Sequence, residues 1–405
     1  MRIDKSVINT FNKQNVINII RSSSPIFKAE ISRITGLSIP TIMKITDDFI
    51  QKGLIRETGK GESSGGKPPQ LLEFVHDSSY IIGVDIGTTN IIAILMDLSA
   101  AIQYKHVMPT GSKDSSDEVI QRIIFSIDNV IAHSKIDTGK ILGIGIGMPG
   151  LLDCEAGRVV FSPDFQWENV DILNPLKEKY KMTLKMDNVT RAMAMGEKWF
   201  GLAKGIDNFM CINLGYGIGS AAVIDGELYN GSSGSSGEFG HITLEKNGPL
   251  CDCGNYGCLE ALASANAIAK KAKIFVARGE ESLILKLAGG DPEAIEAKTV
   301  FDAAKQGDAL ALEIVHEAVE YMGIAIASII NFMDPELIIL EGGVSNAGDM
   351  LMEGLHKVIG RRRMKYAGRN TNIVLTTLGA NAAAIGAASF ILKRLIEAGG
   401  DAGAM

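Results

Sequence analysis

Apolar residues near the start of the chain recur first at helical spacing and then in strand-like runs. An apolar stripe over residues 16–20 predicts one face of a helix. A second, short helix is predicted over residues 29–34, and Gly36 allows a tight turn before a third helix over residues 39–52. This order of helix, turn and helix predicts a helix-turn-helix unit.

The third predicted helix has the features of a helix that reads DNA. Ser38 is a good N-cap, and Ile42 and Phe49 fall on one apolar face. Thr41 and Lys44 point outward and are placed to reach base edges or phosphates. Ser38, at the start of this helix, belongs to the same candidate DNA-contacting set.

A β-hairpin wing is predicted after this helix. Residues 54–57 have the pattern of a strand, residues 59–66 that of a flexible tip, and residues 67–72 that of a returning strand. Lys60 and Lys67 are placed to touch phosphates. The alternative is a small packing domain without DNA contacts.

From residue 78 onward, buried strands lead repeatedly into glycine-rich turns. A strand over residues 80–86 enters one turn, a strand beginning at Cys211 enters another, and a third glycine loop follows residues 337–340. Backbone N–H groups in such turns, with one carboxylate, suit a phosphate or its metal. Two such hairpins predict two similar lobes facing one cleft, the actin-like architecture of sugar kinases. The candidate phosphate-loop residues are Asp85, Gly87, Thr88, Gly215, Gly217 and Gly219.

Composition and charge narrow the class of protein. The 405 residues are 46% hydrophobic, which excludes a disordered chain. Residues 1–76 hold 11 Lys and Arg against 7 Asp and Glu, whereas the remainder holds 29 against 40. A basic head on an acidic body suggests that the head meets a polyanion. We expect no membrane partner and a cytoplasmic location, because the sequence shows no long apolar run or secretory signal and uses cysteine sparingly.

Four residues in the middle of the chain predict a metal site. His241, Cys251, Cys253 and Cys258 lie within eighteen residues. One imidazole and three thiolates form the ligand set of a closed, tetrahedral structural Zn²⁺ site. Cys251 and Cys253 are too close in sequence to pair comfortably as a disulfide. The alternative is three buried thiols and a surface histidine.

These motifs together resemble one family closely, the ROK family of bacterial sugar kinases and sugar-responsive repressors. The resemblance covers essentially the whole chain. It includes the first glycine turn, residues 147–150, residues 162–164 with Trp167, and the run over residues 214–260. The N-terminal unit, with its 64–69 segment, resembles the xylose-repressor branch, whereas the kinases of the family usually lack such a head.

The motifs and the resemblance imply an α/β chain in three parts. Residues 1–76 form a winged helix-turn-helix DNA-binding domain. A two-lobed actin-like fold, the sugar kinase or ribonuclease H-like ATPase fold, follows it. Lobe 1 is expected over residues 77–187 plus 381–405, and lobe 2 over residues 188–380 with a zinc loop at 241–258.

The resemblance also implies where a sugar binds and what chemistry is missing. The implied sugar-binding residues are Asn188, Glu238, His241 and Glu260. Asn188 as a helix cap only, and His241 as a zinc ligand only, remain alternatives. In the family's kinases an Asp after the Asn is the general base, but here that position holds Val189, which cannot accept a proton. Asp187 could substitute if the loop slips, and Glu341, in place of a loop glycine, should weaken nucleotide binding.

The function implied is a sugar-responsive transcriptional regulator, a repressor and not an enzyme, that a sugar or sugar phosphate releases from operator DNA. The alternative is an ATP-dependent hexose kinase with an accessory DNA-binding domain. A transport protein is a further possible signal. We expect a homodimer or a dimer of dimers, with surplus apolar residues of the last helix, 382–397, forming a dimer seam: Ile385, Phe390, Ile391 and Leu395.

Overall fold

The computed structural model describes residues 5–60 and 70–405, with side chains for residues 7–59 and 70–405. We call residues 5–60 and 70–76 the head. Its elements are α1 (Lys5–Ser23), β1 (Ile26–Phe27), α2 (Lys28–Thr35), α3 (Ile39–Gln51), β2 (Ile55–Lys60) and β3 (Gln70–Phe74). The strands form an antiparallel sheet in the order β1-β3-β2. The predicted wing tip, Lys67 and the side chain of Lys60 lie outside the described residues.

The connection between α2 and α3 follows from three residues. Gly36 closes α2 in the left-handed region, at φ 70°, where a residue without Cβ is not strained. The Ser38 side chain then caps α3 by accepting a hydrogen bond from the Thr41 backbone N–H. The third predicted helix is therefore confirmed to within one residue at its C-terminal end.

A five-stranded sheet with a small antiparallel sheet beside it forms what we call lobe 1. Its elements are β4 (Tyr80–Ile86), β5 (Asn90–Asp97), β6 (Ile102–Pro109), α4 (Ser116–Ser134), β7 (Ile141–Met148), β8 (Leu151–Asp153), β9 (Arg158–Ser162), β10 (Trp167–Asp171), α5 (Leu173–Lys179) and β11 (Thr183–Asn188). The large sheet has the order β11-β7-β4-β5-β6. Strand β4 runs antiparallel to β5 and parallel to β7.

A second five-stranded sheet carries lobe 2, with the order β14-β13-β12-β15-β16. Its elements are α6 (Val189–Phe200), β12 (Phe209–Leu214), β13 (Ile218–Ile224), β14 (Glu227–Leu228), α7 (Leu259–Ala263), α8 (Ala265–Ala277), α9 (Leu283–Leu287), α10 (Ala297–Lys305), α11 (Ala309–Met333), β15 (Leu337–Glu341), α12 (Asp349–Arg362) and β16 (Asn372–Leu375). Strand β12 is antiparallel to β13 and parallel to β15, which repeats the pairing of β4 in lobe 1. The two glycine-rich turns therefore occupy equivalent positions.

The last long helix, α13 (Ala382–Glu397), packs on the sheet of lobe 1 and on α6. The approach is close because small residues meet at each contact. A methyl group on Gly83 of β4 would overlap the Ala384 carbonyl oxygen, and one on Gly386 would overlap the Ala192 carbonyl oxygen of α6. Helices α6 and α13 therefore pack almost backbone to backbone.

The head and lobe 1 share one hydrophobic core. Residues of α1 and α3, including Ile17 and Phe49, belong to the same buried cluster as residues of β4, β5 and α13. The expectation of a dimer seam on α13 is therefore wrong for Ile385, Ile391 and Leu395, which are buried within this cluster. Their apolar surface is buried within the chain because other elements cover α13 on both sides.

Two polar contacts tie the head to the body at the same place. The Gln14 side chain donates a hydrogen bond of 2.6 Å to the Glu397 carbonyl at the end of α13. The Arg21 guanidinium lies 4.4 Å from the ring centroid of Trp199 on α6. Within the described residues, no helix is both long and apolar enough to span a membrane.

Candidate functional site

A cavity of about 1000 Å³ opens between the two sheets, where both glycine-rich turns and the start of α6 meet. Both lobes contribute to its walls. The residues predicted from sequence that line it are Asp85, Gly87, Thr88, Asn188, Gly215, Gly217, Gly219, Glu238, His241 and Glu260. We call the part around Asn188, Glu238, His241 and Glu260 the sugar end, and the part around Asp85 and Glu341 the phosphate end.

Asn188 connects the sugar end to α6. Its side-chain oxygen accepts a hydrogen bond of 2.8 Å from the Thr190 N–H, which caps the helix. Its side-chain nitrogen donates to the Gly150 carbonyl at 3.2 Å. Asn188 thus caps α6 and lines the cavity at once, and Val189 lines the cavity beside it. Val189 offers only apolar side-chain atoms to this part of the cavity.

Asp187, the alternative proton acceptor, is held by Arg191. Their side chains form an ion pair of 2.5 Å, and the Asp187 carboxylate also accepts from the Asn188 N–H at 2.7 Å. Arg191 on α6 is buried and also donates to the Asn230 side chain and the Gly234 carbonyl in the loop after β14. Asp187 is not among the cavity-lining residues in the described part of the chain. Its Oδ1 is engaged by Arg191 and by the Asn188 N–H.

Glu238 and His241 project from the segment that follows β14, and Glu260 projects from the first turn of α7. His241 ends a short 3₁₀ helix, Phe239–His241, and its Nε2 lies 3.7 Å from a Glu238 carboxylate oxygen. Glu260 begins α7 and accepts a hydrogen bond of 2.8 Å from the Ile218 N–H of β13. Burial raises the pKa of the Glu238 carboxyl above its ordinary value. Together the three side chains offer acceptors suited to sugar hydroxyls.

The ligand atoms of His241, Cys251, Cys253 and Cys258 lie within 4.8 Å of one another. The His241 Nδ1 is 3.6 Å from the Cys251 sulfur, and the Cys253 and Cys258 sulfurs are 3.7 Å apart. The edge of a tetrahedron with metal–sulfur bonds of about 2.3 Å is roughly 3.8 Å. The donor set and its spacing therefore fit a tetrahedral metal ion. Because Nδ1 faces the sulfurs, Nε2 is left to face the cavity.

The phosphate end keeps its backbone turns. The Gly87 carbonyl accepts a hydrogen bond of 2.7 Å from the Thr110 hydroxyl, and the Gly87 N–H donates to the Asn90 carbonyl. The second turn is closed by the Gly215 N–H and the Gly217 carbonyl at 3.0 Å. Both turns are therefore fixed by their own hydrogen bonds.

The floor of the phosphate end is acidic. Glu341 ends β15, is 1% exposed, lines the cavity, and finds no hydrogen-bond donor for either oxygen among the described residues. Burial, with the negative charges of Glu197 and Asp85 nearby, raises the pKa of Glu341 to about 8. Burial also raises the pKa of Asp85 to about 7, against the opposing charge of Lys105. Three carboxyl groups thus converge where a nucleotide would place negative charge.

Asp164 and Tyr216 line the cavity but were not predicted as site residues. Burial, with Glu260 and Asp252 nearby, raises the pKa of Asp164 to about 6. Asp164 follows β9 and was part of the motif that carries the resemblance, so a signal for it existed in the sequence. Arg191 had no such signal, because its partners lie 37 to 43 residues away.

Three of the predicted DNA-contacting residues, Ser38, Thr41 and Lys44, lie at the start of α3. Ser38 and Lys44 are exposed and Thr41 is half-buried at the start of α3. Two exposed apolar side chains, Ile39 and Met43, lie among them with 41% and 47% exposure. The face presented by α3 is therefore mixed, with hydroxyl, amine and apolar groups side by side.

Comparison with known proteins assigns the family. The model of the ROK family matches residues 81–394. The chain belongs to the ROK family. The xylose repressor of Caldicellulosiruptor bescii is 29% identical over 392 residues, which cover 97% of this chain and 98% of that protein. The glucokinase of Thermotoga maritima is 38% identical over 317 residues, covering 78% of this chain and 98% of that protein.

Among solved structures of ROK proteins, too, a regulator and a kinase cover different shares of this chain. A ROK family transcriptional regulator, a homolog of the Escherichia coli MLC protein, has a TM-score of 0.83 at 28% identity, covering 97% of this chain and 98% of that chain. A ROK family glucokinase from Streptomyces griseus, in complex with glucose and AMPPNP, has a TM-score of 0.70 at 29% identity, covering 78% of this chain and 100% of that chain. The regulators match nearly the full length of this ROK protein, and these kinases match about four fifths of it.

Proposed function

We propose that this ROK protein is a sugar-responsive transcriptional repressor that binds operator DNA through its head and is released when a sugar binds in the cleft. The observation that carries the proposal is a helix-turn-helix head joined to a kinase-like cleft whose general-base position holds Val189. The xylose repressor that matches 97% of the chain supports the same function.

The head would act as a winged helix-turn-helix, with α3 in the major groove. Lys44 would contact phosphate, and Thr41 would reach a base edge. Met43 and Ile39, exposed on the same helix, suit apolar contact with thymine methyl groups. Lys60 and Lys67 would touch the backbone from the wing. A helix-turn-helix reads two half-sites as a dimer, so we propose a homodimer or a dimer of dimers.

A structural Zn²⁺ held by His241, Cys251, Cys253 and Cys258 would organise the sugar end. Burial raises the pKa of the Cys251 and Cys258 thiols, so the cluster holds thiolates only when a cation neutralises them. The ion would fix the His241 tautomer and aim its Nε2 toward the sugar. Glu238, Glu260 and the Asn188 amide would complete the hydroxyl-binding set.

The signal would travel along α6 and α13. Asn188 caps α6 at the cavity, α6 packs closely on α13, and α13 shares a core with the head. A sugar that draws Asn188 toward Glu260 would shift α6 and, with it, Trp199 against Arg21 of the head. In a dimer such a shift would change the spacing of the two reading helices. By linkage, operator DNA must weaken sugar binding by the same factor.

The test begins with duplexes selected by the full-length protein from a randomised pool. Their affinity is then measured by fluorescence anisotropy with xylose, glucose, N-acetylglucosamine, their phosphates, and no addition. We expect one saccharide to weaken binding at least about ten-fold. Lys44→Ala should weaken binding about ten-fold without sugar, whereas Lys298→Ala, an exposed lysine of lobe 2, should not. Failure to enrich any duplex would refute the function.

A hexose kinase is the second candidate, favoured by the 38% identity to a glucokinase. Against it stand Val189, the Asp187–Arg191 ion pair and the buried Glu341. A coupled assay of ADP release with each hexose separates the two functions. We expect no release from the natural protein. Hexose-dependent release comparable to that of a glucokinase would make this chain an enzyme.

A further inference from the structure

A second cavity of about 330 Å³ adjoins the sugar end on the side of the metal loop and α8. The two cavities share four lining residues: Asp164, Tyr216, Gly217 and Glu260. A sugar ring held by Glu260 therefore has one edge facing the second cavity. Its size lies at the lower end of the range of roughly 300–1000 Å³ found for small-molecule sites.

We infer that the second cavity is a subsite for a further glycosyl unit, so that the preferred effector is a disaccharide. This inference rests on the proposed sugar-binding function and names its ligand class more closely.

The lining of the second cavity suits an uncharged polyhydroxyl ring. Tyr216 is 44% exposed and flanks both cavities, so its ring offers an apolar face against which the C–H face of a sugar can stack. Asn266 and Lys270, both on α8, supply hydrogen-bond donors at the opposite wall. One aromatic face with donors and acceptors around it is the arrangement that sugar rings require.

Charge excludes a phosphorylated group from the same cavity. Its two lysines, Lys270 and Lys271, already face carboxylates: Lys271 is ion-paired with Glu317, and Lys270 lies 3.9 Å from Asp252. The remaining acidic side chains of the lining are Asp164, Glu245 and Glu260. The surplus is negative, so a phosphate would be repelled and a neutral glycosyl unit would not.

The shared carboxylates fix how a disaccharide would lie. Glu260 is anchored on the Ile218 N–H, Asp164 is half-buried, and both line the two cavities, so together they form the partition between them. A disaccharide would cross this partition at its glycosidic bond, with one ring at the sugar end and the other against Tyr216. Both carboxylates would then accept hydroxyl hydrogen bonds from the two rings.

Isothermal titration calorimetry on the full-length protein tests this with matched pairs: glucose with cellobiose and maltose, xylose with xylobiose, and N-acetylglucosamine with chitobiose. One disaccharide should bind at least about ten-fold tighter than its monosaccharide. Ala267→Trp, which fills the second cavity, should abolish that gain and leave the monosaccharide affinity within about three-fold. Ala277→Trp, the same change at an exposed position of α8, should keep the gain.

Four outcomes overturn the inference. Monosaccharide binding without a tighter disaccharide would refute the subsite while leaving the proposed function intact. A gain that survives Ala267→Trp would place the second ring elsewhere. A further outcome is that N-acetylglucosamine exceeds glucose in affinity by the same factor as chitobiose does, and that Ala267→Trp removes that gain. This result would show that the second cavity takes a substituent of the sugar and not a second ring. If no saccharide binds, the proposed function fails together with the inference.

Discussion

The two ends of the central cavity share a backbone design but differ in their side chains. At the sugar end, Glu238 and His241 face the cavity, and the metal cluster lies directly behind His241. At the phosphate end the glycine-rich turns are intact, yet a buried carboxyl group, Glu341, occupies the floor. The sugar end presents hydrogen-bonding groups with defined partners. The phosphate end presents buried acidic oxygens that have no hydrogen-bond partner among the described residues.

This difference indicates that the fold can require a glycine-rich turn whether or not the ligand that suits its shape is bound. The turns after β4 and β12 close the central strands of both sheets, so folding alone requires them. Folding does not in the same way require a side chain such as that of Glu341. The presence of glycine-rich hairpins therefore indicates the fold, and we expect the side chains on the cavity floor to determine whether a nucleotide binds.

Removal of the metal ligands should have the largest effect. Structural zinc contributes on the order of 10 kcal/mol in small zinc-binding peptides, so Cys258→Ser should lose the metal, lower the melting temperature and abolish sugar binding. Metal content by mass spectrometry and calorimetric titration with sugar are the measurements. Cys154→Ser, outside the cluster, should keep one ion per chain. A metal-free variant that still binds sugar would show that the metal site does not organise the sugar end.

The acidic floor should make stability depend on pH. The pKa of Glu341 is raised from 4.5 to about 8, so the folded protein holds a proton that the unfolded chain releases. Stability contributed by that proton is complete below about pH 4.5 and is lost as pH rises through 8. Glu341→Gln should therefore be more stable than the natural protein at pH 8.5, by at most roughly 4 kcal/mol, and nearly equal at pH 5.

Thermal unfolding at pH 5, 7 and 8.5 measures this effect. Glu336→Gln, an exposed carboxyl just before β15, serves as the control and should show no such dependence. Parallel pH profiles for both variants and the natural protein would show that Glu341 does not hold its proton in the folded state.

The phosphate end should regain nucleotide affinity when its carboxylate is removed. At pH 8.5, where Glu341 is mostly ionised, Glu341→Gly is expected to bind AMPPNP at least about ten-fold tighter than the natural protein, because a buried negative charge no longer faces the phosphates. Glu341→Gln keeps the bulk and removes the charge, so it separates repulsion from steric obstruction. Tight AMPPNP binding by the natural protein would show that the acidic floor of the phosphate end does not oppose nucleotide binding.

The smallest effect is expected from Asn188, whose two roles can be separated. Asn188→Ala should lose the α6 cap, at a cost of about 1 kcal/mol, and also lose sugar affinity. Asn188→Ser keeps a capping hydroxyl but removes the amide, so stability should be retained while sugar affinity falls. If the serine variant binds sugar as well as the natural protein does, Asn188 is a helix cap alone.

Much of this architecture follows from local sequence patterns. The Ser38 cap, the Gly36 turn and the spacing of the four metal-cluster residues each depend on neighbours within a few turns of chain, so they could be predicted. The glycine-rich hairpins predicted two lobes for the same reason. Helix α13 contacts β4 and β7 of lobe 1, the lobe predicted from sequence to include residues 381–405.

What could not be predicted depends on contacts between distant segments. Arg191 has partners in two separate loops, at Cys154 and at Asn230, and Asp164 lines both cavities only because Glu260 of α7 lies near it. The apolar surplus of α13 was assigned to a second copy of the chain because its actual partner, the head, is more than 300 residues away in sequence. Spacing along the chain carries no information about such pairings.

The shared core also has a consequence for the order in which the protein is made. Helix α13 follows all the other long helices in the sequence, yet both the head and the sheet of lobe 1 are packed against it. A nascent chain with its head already outside the ribosome still lacks the surface on which that head rests. We therefore expect the DNA-reading face to take its fixed orientation only after α13 emerges, which couples operator binding to complete synthesis of the sugar-binding body.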